Sequence, residues 1–181
     1  MSVKRNHIKR NHIKKAITAG TLGTTAMTAF SYILSEKKYK NFREPRLLAA
    51  MIDRLTPLNK DEAIKVGWLM HYGVGVFFAA IYKPILEKGH IEPTIKNGAI
   101  IGGITGLFGA AIWNLTFHLH PLPPLISYRR FYGQLVVAHV IFGAVTTLLL
   151  QKKTPGNIAA ATRTQVMTPR DSHLSDDTMA G

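Results

Sequence analysis

Four apolar stretches, each about twenty residues long, constrain this chain more than any other feature. They cover residues 16–34, 64–83, 98–117 and 131–150, and all ten acidic residues lie outside them. A helix rises about 1.5 Å per residue, so twenty residues match the roughly 30 Å hydrocarbon core of a bilayer. A soluble bundle would need charged residues on one face of every helix, and the interiors of these stretches have none. The sequence therefore predicts an all-α polytopic membrane protein with four transmembrane helices in a bundle.

The segments outside these spans are basic or polar. Residues 1–15 carry six lysines and arginines and no acid, which favours contact with anionic lipid headgroups. They lack the aromatic side chains that stack on bases, so we expect no nucleic-acid partner. Residues 152–181 are small, polar and patternless, which predicts a disordered tail. The transmembrane domain then covers residues 16–151.

The long first loop contains a predicted amphipathic helix at residues 45–55. Its apolar positions share one helical face and are Leu47, Leu48, Met51, Ile52 and Leu55. A short helix with one apolar face is typical of a segment that lies on the membrane surface. Just after it, Asn59 and Glu62 have the spacing of a capping box, which predicts that the second span's helix begins there.

Small residues recur every fourth position through the third span. They are Gly98, Gly102, Gly106 and Ala110. This spacing places them on one helical stripe, and in lipid such a stripe lets two backbones pack closely. The second and fourth spans each carry a histidine followed four residues later by glycine, namely His71 with Gly75 and His139 with Gly143. This similarity suggests a duplicated two-helix unit, with chance similarity as the alternative.

Six polar residues are predicted to lie in the same leaflet, because the second span starts, the third ends and the fourth starts at one membrane face. They are His71, Asn114, His118, His120, Gln134 and His139. Polar groups in hydrocarbon usually face the bundle interior and find partners there. We therefore expect one polar cluster that opens towards the side of the first and third loops.

Three interpretations of this cluster stay open. Neutral imidazoles could form a structural hydrogen-bonded cluster. Histidine also changes charge near neutral pH, which suits a proton-linked role. As a third option, His71 and His139 could ligate a metal or haem. Zinc needs three or four ligands that lie close together. The spacing of these histidines in the sequence does not show whether they meet, or which metal they would bind.

No enzyme signature is present, and we expect no catalytic activity. A hydrolase would need an acid to orient its histidine, and no carboxylate lies in any span. The leading interpretation is a structural or stress-related membrane component with a pH-responsive histidine cluster and no required cofactor. The alternatives are a haem- or metal-binding membrane protein, and a small transporter or channel subunit that would work as a homo-oligomer.

The order of features in residues 71–137 resembles the YagU-like bacterial inner-membrane proteins. The motifs that carry the resemblance are a histidine-led second span ending in "AAIY", the glycine-rich "NGAIIGGITGLFG", the paired prolines of "PLPP" and "FYGQ" at the start of the fourth span. The resemblance implies a multi-span protein of the bacterial cytoplasmic membrane, from a family without an established activity, and it assigns no residue a role. The basic, acid-free N-terminus favours cytoplasmic termini.

Overall fold

The computed structural model describes residues 2–38 and 42–151, with side chains described for residues 12–37 and 42–151. The predicted disordered tail, residues 152–181, lies outside the described residues. The described part contains no strand and five helices, which are α1 (Ser2–Lys38), α2 (Glu44–Leu55), α3 (Lys60–Lys88), α4 (Ile95–Leu119) and α5 (Tyr128–Leu150). The all-helical prediction is confirmed for these residues.

The start of α3 confirms the predicted capping box. The Asn59 side-chain oxygen accepts a hydrogen bond from the Glu62 backbone N–H at 3.0 Å, and the Glu62 carboxylate accepts one from the Asn59 N–H at 3.1 Å. Each bond satisfies an N–H group that the first helical turn would leave unpaired. This cap begins α3 one turn before its apolar part.

The helices form a bundle in which α5 packs against α4 and α1, α1 packs against α3, and α2 packs against α3. We call the end where α1 and α4 finish and α3 and α5 begin the α2 end. At the opposite end, the Lys15 ammonium donates to the Gln151 carbonyl oxygen at 3.4 Å. The start of α1 therefore lies beside the end of α5.

Three of the described helices, α3, α4 and α5, are long and apolar enough to cross a membrane. Large apolar side chains such as Leu69, Phe77 and Phe108 point outwards and are more than half exposed. Water would solvate such a surface poorly, whereas lipid tails solvate it well. Helix α1 has sufficient length, but its apolar stretch contains five threonines, which lower its mean hydropathy.

The structure places α2 where the sequence predicts a short helix, and part of its apolar face packs against protein. Leu47 and Met51 are buried and pack with Phe117 and Phe131 of α4 and α5. Gly67 of α3 permits this approach, because a Cβ there would lie 2.6 Å from the Pro45 carbonyl oxygen. The predicted membrane-surface position stays a prediction, because Leu55 of the same face is 58% exposed.

The small-residue stripe of α4 lies against α5. A Cβ on Gly98 would be 2.5 Å from the Gly143 carbonyl oxygen, and a Cβ on Gly106 would be 2.9 Å from the Val136 Cα. Gly102 lies between these two contacts, against the backbone of His139. Ala110 packs beside the aromatic cluster at the α2 end. The stripe therefore sets the separation of α4 and α5.

A hydrogen bond of 2.7 Å joins the Tyr82 hydroxyl of α3 to the Thr105 hydroxyl of α4. Thr105 also hydrogen-bonds to carbonyl oxygens of its own helix. Tyr82→Phe should therefore lower the free energy of unfolding by about 1 kcal/mol, because Thr105 keeps a partner. Thermal unfolding in detergent checks this, with Thr105→Val as the partner variant. If the double variant loses the sum of the two single losses, the pair does not interact as described.

Candidate functional site

A cavity of about 220 Å³ lies inside the bundle, in the half nearer α2. All five helices contribute to its wall, which is mostly apolar. Its side chains with polar or titratable groups are Thr24, Glu44, His71, Trp113, Thr116 and His139. The cavity therefore combines a lipid-like wall with a few polar groups, which is the usual composition of a small-molecule site.

His71 lies about two turns into the apolar part of α3, and its ring faces α1. Its Nε2 atom is hydrogen-bonded to the Thr28 hydroxyl at 2.8 Å, and its ring meets the Trp68 ring edge-on. Gly75, one turn later, lies against Gly20 and Thr24 of α1. The glycine thus lets α3 approach α1 closely enough for the imidazole to reach a hydroxyl partner.

His139 enters the same cavity from α5. Its Nδ1 atom donates to the Leu135 carbonyl oxygen at 2.9 Å, since a carbonyl can only accept. In the neutral ring, Nε2 is therefore an acceptor. The ring packs edge-on against Phe78 of α3 at a centroid distance of 6.4 Å. Gly109 of α4 borders it, because a Cβ there would lie 3.3 Å from Nε2.

The other four predicted cluster residues do not join these two histidines around the cavity. His118 is exposed and donates to the Asn114 carbonyl oxygen of its own helix at 2.8 Å. The Asn114 amide is also exposed and donates to the Tyr132 hydroxyl. The single cluster is thus corrected, because the helical rotation of α4 places both residues away from the cavity wall.

His120 is buried and has a structural role. Its Nε2 atom donates to the Met51 carbonyl oxygen at 3.2 Å, and its Nδ1 atom accepts from the Leu122 N–H at 3.0 Å. A neutral imidazole satisfies both bonds at once. His120 therefore ties α2 to the segment that follows α4, as the structural interpretation expects.

Gln134 leads to a carboxyl group that sequence reasoning missed. Its side-chain amide donates to the Ser31 hydroxyl at 2.6 Å and to Glu44 Oε1 at 3.1 Å. Ser31 in turn donates to Glu44 Oε1 at 2.7 Å. Glu44 is only 3% exposed, and the three side chains join α1, α2 and α5. The signal was present in the sequence, because Glu44 shares the apolar face of α2 with Leu47.

Burial raises the pKa of Glu44 from 4.5 to about 7, because removal from water penalises the carboxylate. The hydrogen bonds from Ser31 and Gln134 oppose this shift without overcoming it. Both bonds reach Oε1, whereas Oε2 is buried and has no hydrogen-bond partner. Glu44 therefore gives the cavity wall a carboxyl group whose charge changes near neutral pH.

A second buried oxygen of the cavity wall, the Thr24 hydroxyl, also lacks a hydrogen-bond partner. Most buried polar groups in proteins are paired, so two unpaired oxygens in one wall are unusual. Within residues 12–37 and 42–151, no three histidine or acidic side chains are grouped closely enough to hold a metal ion. The arrangement can exchange protons and accept hydrogen bonds from a ligand.

No protein-family model, no curated protein and no solved structure matches the chain. The resemblance to the YagU-like proteins stays a prediction from the motifs quoted above.

Proposed function

We propose that the protein is a multi-pass component of a bacterial cytoplasmic membrane that responds to pH through the cavity shared by His71 and His139. The observation that carries the proposal is that two imidazoles from different helices line one cavity, together with the Glu44 carboxyl. Histidine is the side chain whose charge changes nearest neutral pH, and a charged imidazole is unfavourable in an apolar wall. A change of charge inside a packed bundle would alter how α1, α3 and α5 pack. We assign it no catalytic role.

Four spans fit this proposal better than three. Helix α1 packs between α3 and α5 and buries its hydroxyl side chains, including Thr24, Thr28 and Ser31. Its outward side chains include Ile17 and Ile33, which are about half exposed. A helix with polar groups inside and aliphatic groups outside is adapted to lipid, so α1 completes a four-helix transmembrane domain in this proposal.

Two further contacts support a duplicated two-helix unit. The glycine that follows His71 by four residues, Gly75, lies against Gly20 of the preceding long helix. The glycine that follows His139 by four residues, Gly143, lies against Gly98 and Gly102 of its preceding helix. We propose that the pairs α1 with α3 and α4 with α5 are the two copies, both inserted with their termini on the cytoplasmic side.

The other functions receive unequal support. Haem ligation is less supported, because about 220 Å³ lies below the roughly 300 to 1,000 Å³ typical of drug-sized ligand pockets. A small transporter or channel subunit, acting as a homo-oligomer, is favoured by one specific observation, the buried Glu44 carboxyl that faces the cavity. Carboxylates inside membrane proteins are the usual coupling groups of such proteins, and Glu44 reaches the cavity wall from α2, outside the spans.

Tryptophan fluorescence can test the pH response. The chain has two tryptophans, so Trp68→Phe leaves Trp113 in the cavity wall as the sole reporter. In Glu44→Gln protein reconstituted in nanodiscs, we expect its emission to fall as the pH is lowered, because a protonated imidazole quenches indole. His71→Gln combined with His139→Gln should abolish the change, whereas exposed His118→Gln should keep it. An unchanged titration in the His71 and His139 double variant would refute the proposal.

A further inference from the structure

The Glu44 carboxyl is hydrogen-bonded through one oxygen and unpaired at the other. Ser31 and Gln134 both donate to Oε1, so this oxygen and the orientation of the group are fixed. Oε2 has no hydrogen-bond partner, although the side chain is buried and lines the cavity. A buried carboxylate oxygen without a partner costs free energy, and a hydrogen-bond donor or a cation beside it would recover that cost.

The other polar atoms of the wall also favour a donor. His139 uses its only N–H on the Leu135 carbonyl oxygen, which leaves Nε2 as an acceptor. Aromatic rings of Trp113 and Phe78 form part of the remaining wall, and aromatic faces attract cations.

We propose that the cavity binds a small lipophilic ammonium ion, with the Glu44 carboxylate as its counter-ion and the His139 Nε2 atom as a further acceptor. A cavity of about 220 Å³ suits a single ring or a short aliphatic body bearing one charged amine. At its edge, Met70, Val74 and Ile112 are between 46% and 59% exposed on the outer surface of α3 and α4. The ligand therefore enters from the hydrocarbon region between these helices.

Ligand binding and protonation of Glu44 exclude each other. Burial raises the pKa of this carboxyl to about 7, so a proton competes with the ammonium ion near neutral pH. The titratable side chains that share the cavity wall are His71 of α3 and His139 of α5, and α4 contributes none. Arg43, the adjacent basic residue, is paired with Glu36 at 3.4 Å and stacks on Tyr32, so it does not neutralise Glu44.

This inference goes beyond the pH response proposed above, because it depends on Glu44 and stands even if neither histidine titrates.

The test measures equilibrium binding of 2-phenylethylammonium to the full chain in nanodiscs, with empty nanodiscs subtracted. We expect the dissociation constant to be about tenfold weaker at pH 6 than at pH 8, as a single competing proton with a pKa near 7 requires. The amine stays charged across this range, so only the protein titrates.

Glu44→Gln should weaken binding at pH 8 by at least about tenfold and remove the pH dependence, because the counter-ion is lost. Glu92→Gln is the matched control, since Glu92 is exposed and lies at the end of the bundle opposite α2, so this variant should leave both unchanged. Neutral 2-phenylethanol should bind at least about tenfold more weakly than the amine. Circular dichroism establishes that Glu44→Gln is folded.

Three results would overturn the assignment. The amine and the alcohol could bind equally well, which would show an apolar cavity without a counter-ion. Folded Glu44→Gln could retain wild-type affinity, which would place the ligand elsewhere. Finally, no saturable binding by wild-type protein at pH 8 would show that the cavity does not accept this class of ligand.

Discussion

Gly143→Val is expected to cost about 3 kcal/mol or more of unfolding free energy, the largest effect of any single substitution considered for this protein. A Cβ at this position would overlap the Gly98 carbonyl oxygen and lie 2.6 Å from the Gly102 Cα. Both neighbours are backbone atoms of α4, so neither can rotate away. The helices would have to separate, and the interface that the small-residue stripe creates would open. Chemical unfolding in detergent micelles measures the loss.

The same helix provides the control. Gly133→Val makes the identical chemical change in α5, where a new Cβ would meet nothing within 4 Å. Its effect should be small, because valine has a slightly better helix propensity than glycine and encounters no neighbour. Equal destabilisation by the two valines would mean that helix propensity or lipid contact, and not the contact with α4, determines the cost.

The stability of the wild-type protein should fall by about 3 kcal/mol between pH 4.5 and pH 8, owing to Glu44 alone. Below pH 4.5 the carboxyl is protonated in both the folded and the unfolded chain. As the pH rises towards 7, the unfolded chain ionises first and binds fewer protons, so unfolding becomes easier. Each unit between the unfolded pKa of 4.5 and the folded pKa of about 7 contributes about 1.4 kcal/mol. Above the folded pKa the loss is complete.

Glu44→Gln separates this effect from other titrations. The amide keeps an oxygen that can accept from Ser31 and Gln134, but it does not ionise. The variant should therefore match wild type near pH 4.5 and be more stable than wild type at pH 8, as thermal unfolding in detergent over this range would show. Glu92→Gln should follow the wild-type profile, because that carboxyl is exposed and lies at the end of the bundle opposite α2. A Glu44→Gln profile parallel to wild type would show that Glu44 is not the group responsible.

The site was only partly predictable. Hydrocarbon solvation requires a polar group to find a partner, so the sequence could nominate His71 and His139 and predict that they face inwards. The sequence could not show that His118 differs from these two histidines. The rotation of α4 about its own axis decides whether His118 faces the cavity, and in the structure it is hydrogen-bonded to the Asn114 carbonyl oxygen of its own helix. The sequence also predicted a polar cluster without a carboxylate, because Glu44 lies between the apolar stretches. Only the packing of α2 brings Glu44 to the cavity.

The sequence by itself determined the helices and their environment. Runs of apolar residues, the Asn59 cap and the four-residue spacing of Gly98, Gly102 and Gly106 are local patterns, and local patterns specify helix bounds and a packing stripe. Only the tertiary structure decided which partner each face receives. The apolar face of α2 could have met lipid or protein, and the two have similar hydrophobicity. Shape decided between them. Gly67 of α3 has no side chain and lets α2 approach closely, and the aromatic side chains at the ends of α4 and α5 pack against α2. This packing also buries Glu44.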